Sequence, residues 1–129
     1  MIHDSAPSLQ ISQRFIVLID DCPFNLRNWT RKIQANDANC TIISFFNFED
    51  FFIYLDTFKN HEGKEITDLN LSFIVTDFYF DGKSDGYLSR HLRELVEHYK
   101  LKKTVYISTL LESSCFDLQN LRQEFDFIT

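Results

Sequence analysis

The sequence predicts an α/β protein, one domain built as a doubly wound parallel sheet with helices on both faces. Three observations carry that expectation. Short apolar runs alternate along the chain with longer segments of helical spacing. The first run, "FIVLI" from Phe15 to Ile19, is apolar at every position, which suits a strand buried on both faces. And 129 residues suffice for one domain with a single core, but not comfortably for two.

Residues 1–13 are polar and read as a loose tail ahead of a domain spanning 14–129. The strand "RFIVLIDD" closes on Asp20 and Asp21, and "CPFNLRNWTRKIQAND" follows as a helix. Pro23 suits its first position, and Leu26, Trp29 and Ile33 fall on one face. "CTIISFF" is the second strand. Asn47 with Asp50 three residues on resembles a capping pair for the helix "FEDFFIYLDTFKN". "HEGKEITDLN" is polar and without period, so it reads as a long loop. "LSFIVTD" is the third strand. "DGYLSRHLRELVEHYK" is the third helix, with Leu88, Leu92, Leu95 and Tyr99 along one side. "KTVYIST" is a fourth strand, "SSCFDLQNLRQE" a short helix and "FDFIT" a fifth strand.

Composition narrows the function. A hydrophobic content of 44% with 25% charged residues is ordinary for a globular protein, whereas 14 phenylalanines imply a core built largely on Phe. A net charge of -6 argues against binding nucleic acid backbones. No apolar stretch approaches the roughly 18 residues of a membrane span, and "MIHDSAPSLQ" lacks the basic start and apolar run of a signal peptide. Cys22, Cys40 and Cys115 lie far apart and form no CxxC pattern, so reduced thiols in a cytoplasmic protein are expected rather than disulfides or a zinc site.

The chemistry concentrates at strand ends, where ligands of doubly wound sheets sit. Asp20 and Asp21 end the first strand, Asp77 the third, and Ser108 with Thr109 the fourth. If strands one, three and four are neighbours, these groups meet at one edge. Three carboxylates so close repel one another, and such a cluster usually persists by binding a divalent cation. Mg²⁺ fits, since it takes one or two carboxylates, waters and phosphate oxygens. Taken singly, each group has a plainer reading: a solvated strand end and helix cap for Asp20 and Asp21, a turn residue for Asp77, an ordinary hydroxyl for Ser108. Their convergence favours a site. Asp81 and Asp85 precede glycines and read as turn formers. His61, His91 and His98 read as surface residues, and Cys22 as loop packing.

These segments resemble the receiver domains of bacterial two-component response regulators. "VLIDDCPFNLR" looks like the family's first strand, acidic pair and first helix; "IVTDFYFDGKSDG" is similar to its strand-three aspartate and loop; "VYIST" and "FDFIT" look like its fourth and fifth strands. The resemblance implies a flavodoxin-like sheet of order 2-1-3-4-5. It further implies Asp77 as phosphoacceptor, and Mg²⁺ (or Mn²⁺) held by Asp20, Asp21, Asp77 and the backbone carbonyl of Tyr79. Ser108 would bind a phosphoryl oxygen, and Phe127 would be the aromatic switch. The implied partner is a histidine kinase or a phosphotransfer protein, and the implied role is regulatory rather than enzymatic.

The sequence departs from the pattern in places. The loop after Asp77 carries one residue more than usual, Asp81 stands where proline is usual, and Phe48 replaces a small residue at the start of helix two. "FDFIT" ends where the family continues into Lys-Pro and a last helix. A chain lacking that helix is expected to leave sheet uncovered and to self-associate through the helix-four and strand-five side. Two other functions stand beside the receiver: a phosphorylation-independent pseudo-receiver acting as an interaction module, and a Mg²⁺-dependent phosphohydrolase using Asp77 as nucleophile.

Overall fold

The first strand shows how the sheet is built. In the computed structural model, which describes residues 14–63, 70–84, 86–101, 104–108 and 126–128 (Thr104 and 126–128 by backbone alone), β1 spans Phe15–Ile19 and every residue in it is buried. Side chains alternate across a strand. Phe15, Val17 and Ile19 accordingly enter one apolar cluster, while Ile16 and Leu18 enter a second on the opposite face. Both faces of this strand are core.

The described elements run β1, α1 (Pro23–Asn36), β2 (Thr41–Phe45), α2 (Phe48–Glu62), β3 (Leu71–Asp77), α3 (Tyr87–Glu97), β4 (Thr104–Ser108) and β5 (Asp126–Ile128). The strands form one five-stranded sheet, β2-β1-β3-β4-β5, in which every neighbouring pair is parallel. That is the order implied by the resemblance. The smaller cluster takes Leu26 from α1, with Trp29 and Ile33 packed against it, so α1 covers one face through the spacing its sequence carries. The larger cluster takes Phe48, Phe51 and Leu55 from α2 and Tyr87, Leu88, Leu92 and Leu95 from α3 on the other face. Phe45, Phe48 and Phe51 are fully buried, so the Phe-rich composition is spent where α2 meets the sheet.

Helix ends follow local chemistry. Pro23 occupies the first turn of α1. At α2 the Asn47 side chain accepts a hydrogen bond from the Asp50 N–H at 2.8 Å, as the capping pair predicts. Two boundaries differ from the sequence reading. His61 and Glu62, expected in a loop, continue α2 until Gly63 takes a left-handed conformation (φ 67°) and donates its N–H to the Lys59 carbonyl at 2.8 Å. Tyr99 and Lys100, expected in α3, lie beyond its end. Lys100 turns left-handed (φ 60°), and the Leu101 N–H returns to the Leu95 carbonyl at 2.9 Å. Tyr99 still packs back, its ring stacked on Phe52 with centroids 5.1 Å apart.

The N-terminal tail, the short helix expected over 113–124, and with it the helix-four side expected to self-associate lie outside the described residues.

Candidate functional site

Register sets the site. Ile19 at the end of β1 pairs with Phe45 of β2 and Thr76 of β3, and Asp77 pairs with Ser108 of β4. The Asp20 N–H extends the ladder by one step, donating to the Phe45 carbonyl at 3.0 Å. Asp20, Asp77 and Ser108 therefore emerge at one level of the sheet's carboxyl edge, and Asp21 follows where the chain turns into α1. Carboxylate oxygens of Asp20, Asp21 and Asp77 all lie within 4.8 Å of one another. The strand adjacency on which the sequence argument depended is present.

The three carboxylates differ in surroundings. Asp20 is 4% exposed, and burial raises its pKa. The Cys22 N–H, donating to its Oδ1 at 2.9 Å, and the Asn25 side chain partly offset that, while neighbouring Asp21 adds to it. Asp77 is half-buried, and its pKa is pushed up to about 7, first by burial and next by the charge of Asp20; the N–H groups of Phe78 and Tyr79 pull it back. The Phe78 N–H is shared between the Asp77 Oδ1 at 2.9 Å and the Ser108 carbonyl at 3.1 Å, which fixes Asp77 against β4. Asp21 accepts the Asp81 N–H on its Oδ2 at 2.8 Å.

This donor set suits a small hard cation. All donors are oxygens, no ion pair from a described residue meets them, and two of the three carboxyls are held above their ordinary pKa by the burial and repulsion that a divalent ion would offset. Thr76, buried one residue earlier, donates its hydroxyl proton to the Asp77 carbonyl at 3.0 Å.

The other expected residues fall as follows. Tyr79, two residues after Asp77, holds its ring in solvent at 59% exposure. Phe127 pairs by backbone with Ile107 of β4; its ring lies outside the described residues, as do Thr109 and Asp85. Asp81 is exposed and stands apart from the acidic cluster, to which it contributes an N–H. His91, read as a surface residue, is instead half-buried and stacked on Phe48 and Phe52, its Nδ1 donating to the Tyr87 carbonyl at 2.7 Å. Sequence reasoning missed Asn25 beside Asp20, and it missed Tyr87 and Glu49. Asn25 stands only five residues after Asp20, near enough to have been noticed. The Tyr87–Glu49 contact joins two helices and leaves no local signal.

No protein-family model matches the chain, and neither does any curated protein sequence. Solved structures do match. The receiver domain of the histidine kinase CKI1 from Arabidopsis thaliana, complexed with Mg²⁺ and BeF₃⁻, superposes with a TM-score of 0.66 at 13% identity over 88% of this chain and 78% of that one. The signal receiver domain of a Luxo repressor protein from Vibrio parahaemolyticus gives 0.54 at 13% identity over 90% and 77%. The response regulator LqsR from Legionella pneumophila gives 0.52 at 16% identity, over 91% of this chain and 38% of its own. Identities this low speak to architecture, and the architecture is that of a receiver domain.

Proposed function

We propose that this chain is a phosphoacceptor receiver module, with Asp77 as the acceptor and a histidine kinase or phosphotransfer protein as donor. The observation that carries the reading is the meeting of Asp20, Asp21 and Asp77 within 4.8 Å at the carboxyl edge, with Asp77 in register with Ser108. An Asp77 oxygen attacks phosphorus, the bond from phosphorus to the donor's histidine nitrogen or acyl oxygen breaks, and that atom leaves with the electron pair. Asp20, Asp21, Asp77 and the Tyr79 carbonyl would hold Mg²⁺, which when bound neutralises charge on the phosphoryl oxygens. Ser108 donates its hydroxyl to one of those oxygens, and Phe127 follows it as the switch. Its role is regulatory, without turnover of a separate substrate, and its setting the cytoplasm.

Intact-mass measurement after incubation with a small acyl phosphate and Mg²⁺ tests this reading. One added phosphoryl group is expected on the wild type and none on Asp77→Asn. Full labelling of that variant rules out Asp77 as acceptor. Steady hydrolysis of a small phosphate ester would make the protein a phosphohydrolase instead. Neither label nor turnover, together with a partner complex indifferent to Mg²⁺, would make it a pseudo-receiver.

A further inference from the structure

The loop leaving Asp77 is tied down at two places that neither the fold nor the proposed chemistry requires. Near its start, the Asp81 N–H donates to the Asp21 carboxylate at 2.8 Å. Beyond it, at the first residue of α3, the Tyr87 ring is buried and its hydroxyl reaches the start of α2. There the hydroxyl accepts the Phe48 N–H at 3.0 Å and donates to the Glu49 carboxylate. Just before the first tie, Phe80 is buried with its ring 5.2 Å from Tyr87 and 5.9 Å from Phe48. Lys83 lies 5.4 Å over the Tyr87 ring and 3.5 Å from the second Glu49 oxygen.

The Phe48 N–H is one of the donors that a helix start leaves without an intrahelical partner. Asn47 caps a different one, that of Asp50. The first turn of α2 is therefore completed by a tyrosine from another element, held in place by a strap whose other end rests on a carboxylate of the acidic cluster.

We propose that Tyr87 is a positioning residue that couples occupancy of the acidic edge to the first turn of α2, through the strap of residues 78–84. The proposal rests on the reading of that edge as a cation site. A carboxylate has room for both a cation and an N–H, so a cation that quiets the repulsion around Asp21 steadies the anchor used by Asp81. The strap then holds Phe80 and Tyr87 more firmly, and the Phe48 N–H opens less often. Because coupling between two sites is reciprocal, loosening the Tyr87 end also weakens cation binding. The α2 side of the molecule thereby reports the state of the site.

Residue-resolved amide exchange tests this on the full chain. With Mg²⁺ alone as the probe, the Phe48 amide of the wild type is expected to exchange more slowly by at least about fivefold, a coupling typical of linked sites. In Tyr87→Phe it should exchange faster and lose the Mg²⁺ response, and Mg²⁺ affinity should fall by about the same factor. A purely structural tyrosine would change the exchange rate and leave the Mg²⁺ response intact, and that result overturns the proposal. An arm without metal separates the proposal from the reading beneath it. Asp21→Ala removes the acceptor of the Asp81 N–H, and should speed Phe48 exchange while leaving the amides of α1's last turn unchanged. If calorimetry detects no Mg²⁺ binding, the cation reading fails, and the metal-free arm decides the strap: faster Phe48 exchange retains it, an unchanged rate ends it.

Discussion

Asp77 stores a like-charge conflict that the protein carries whenever the site holds no cation. Its pKa is raised to about 7, by burial and then by Asp20, so between the ordinary carboxylate range and that value the folded state binds a proton that the unfolded state has lost. A group bound more tightly by protons in the native state makes stability fall as pH rises through that window. Asp77→Asn cannot charge. In metal-free buffer it should therefore be more stable than wild type by on the order of 1–2 kcal/mol at about pH 8, with the gain disappearing near pH 4. Denaturant melts at the two pH values check this, and a variant less stable at pH 8 would mean that Asp77 serves as a structural cap. Tyr54 offers a simpler case. Its hydroxyl is buried and finds no hydrogen-bond partner among the described residues, and burial raises its pKa. Tyr54→Phe should be neutral or stabilising by up to about 1 kcal/mol, because the variant has no stranded polar atom.

At the scale of elements, two left-handed residues close helices with opposite economy. Gly63 ends α2 at φ 67° with open space where a Cβ would sit, so only backbone strain opposes a side chain there. Lys100 follows α3 at φ 60° and bears that strain already. Gly63→Ala should destabilise by about 1 kcal/mol and Lys100→Gly should stabilise by a somewhat smaller amount, both read from chemical denaturation. These two positions also mark what the sequence could and could not convey. The strands were legible because "FIVLI" and "LSFIVTD" carry burial in their composition, and α1 was legible because Pro23, Leu26, Trp29 and Ile33 act within one helix. Asp20, Asp21, Asp77 and Ser108 could be placed at one edge because strand ends in a parallel sheet share a level. The stop after Glu97 was hidden, since a lysine in a left-handed conformation has no composition signal. So was the burial of His91, which depends on Phe48 and Phe52 arriving from a helix some forty residues earlier in the chain.

At the scale of the whole molecule, the sheet is a rigid frame whose carboxyl edge concentrates charge. β1 is buried throughout, β3 is buried on its inner positions, and the two apolar clusters grip them from opposite faces, so the acidic residues cannot relax by moving the strands apart. On the proposed reading their conflict is met by protons or by a cation, and the two compete for Asp77. On that reading Mg²⁺ binds only the native arrangement, so it should raise the melting temperature with the logarithm of its concentration, by about 2.7 kcal/mol in stability at a hundred times its Kd. Below a pH of about 7, Asp77 must first release its proton, so the apparent affinity for Mg²⁺ should weaken as pH falls from about 8 to about 6. Asp77→Asn has no such proton to lose; it should bind Mg²⁺ more weakly at pH 8 and show a flatter pH dependence over the same interval. Thermal melts across a Mg²⁺ series at the two pH values measure both quantities. A wild-type affinity that does not change between them would mean that the cation, if bound, does not use Asp77, and the acceptor and metal roles would then have to be assigned to different carboxylates.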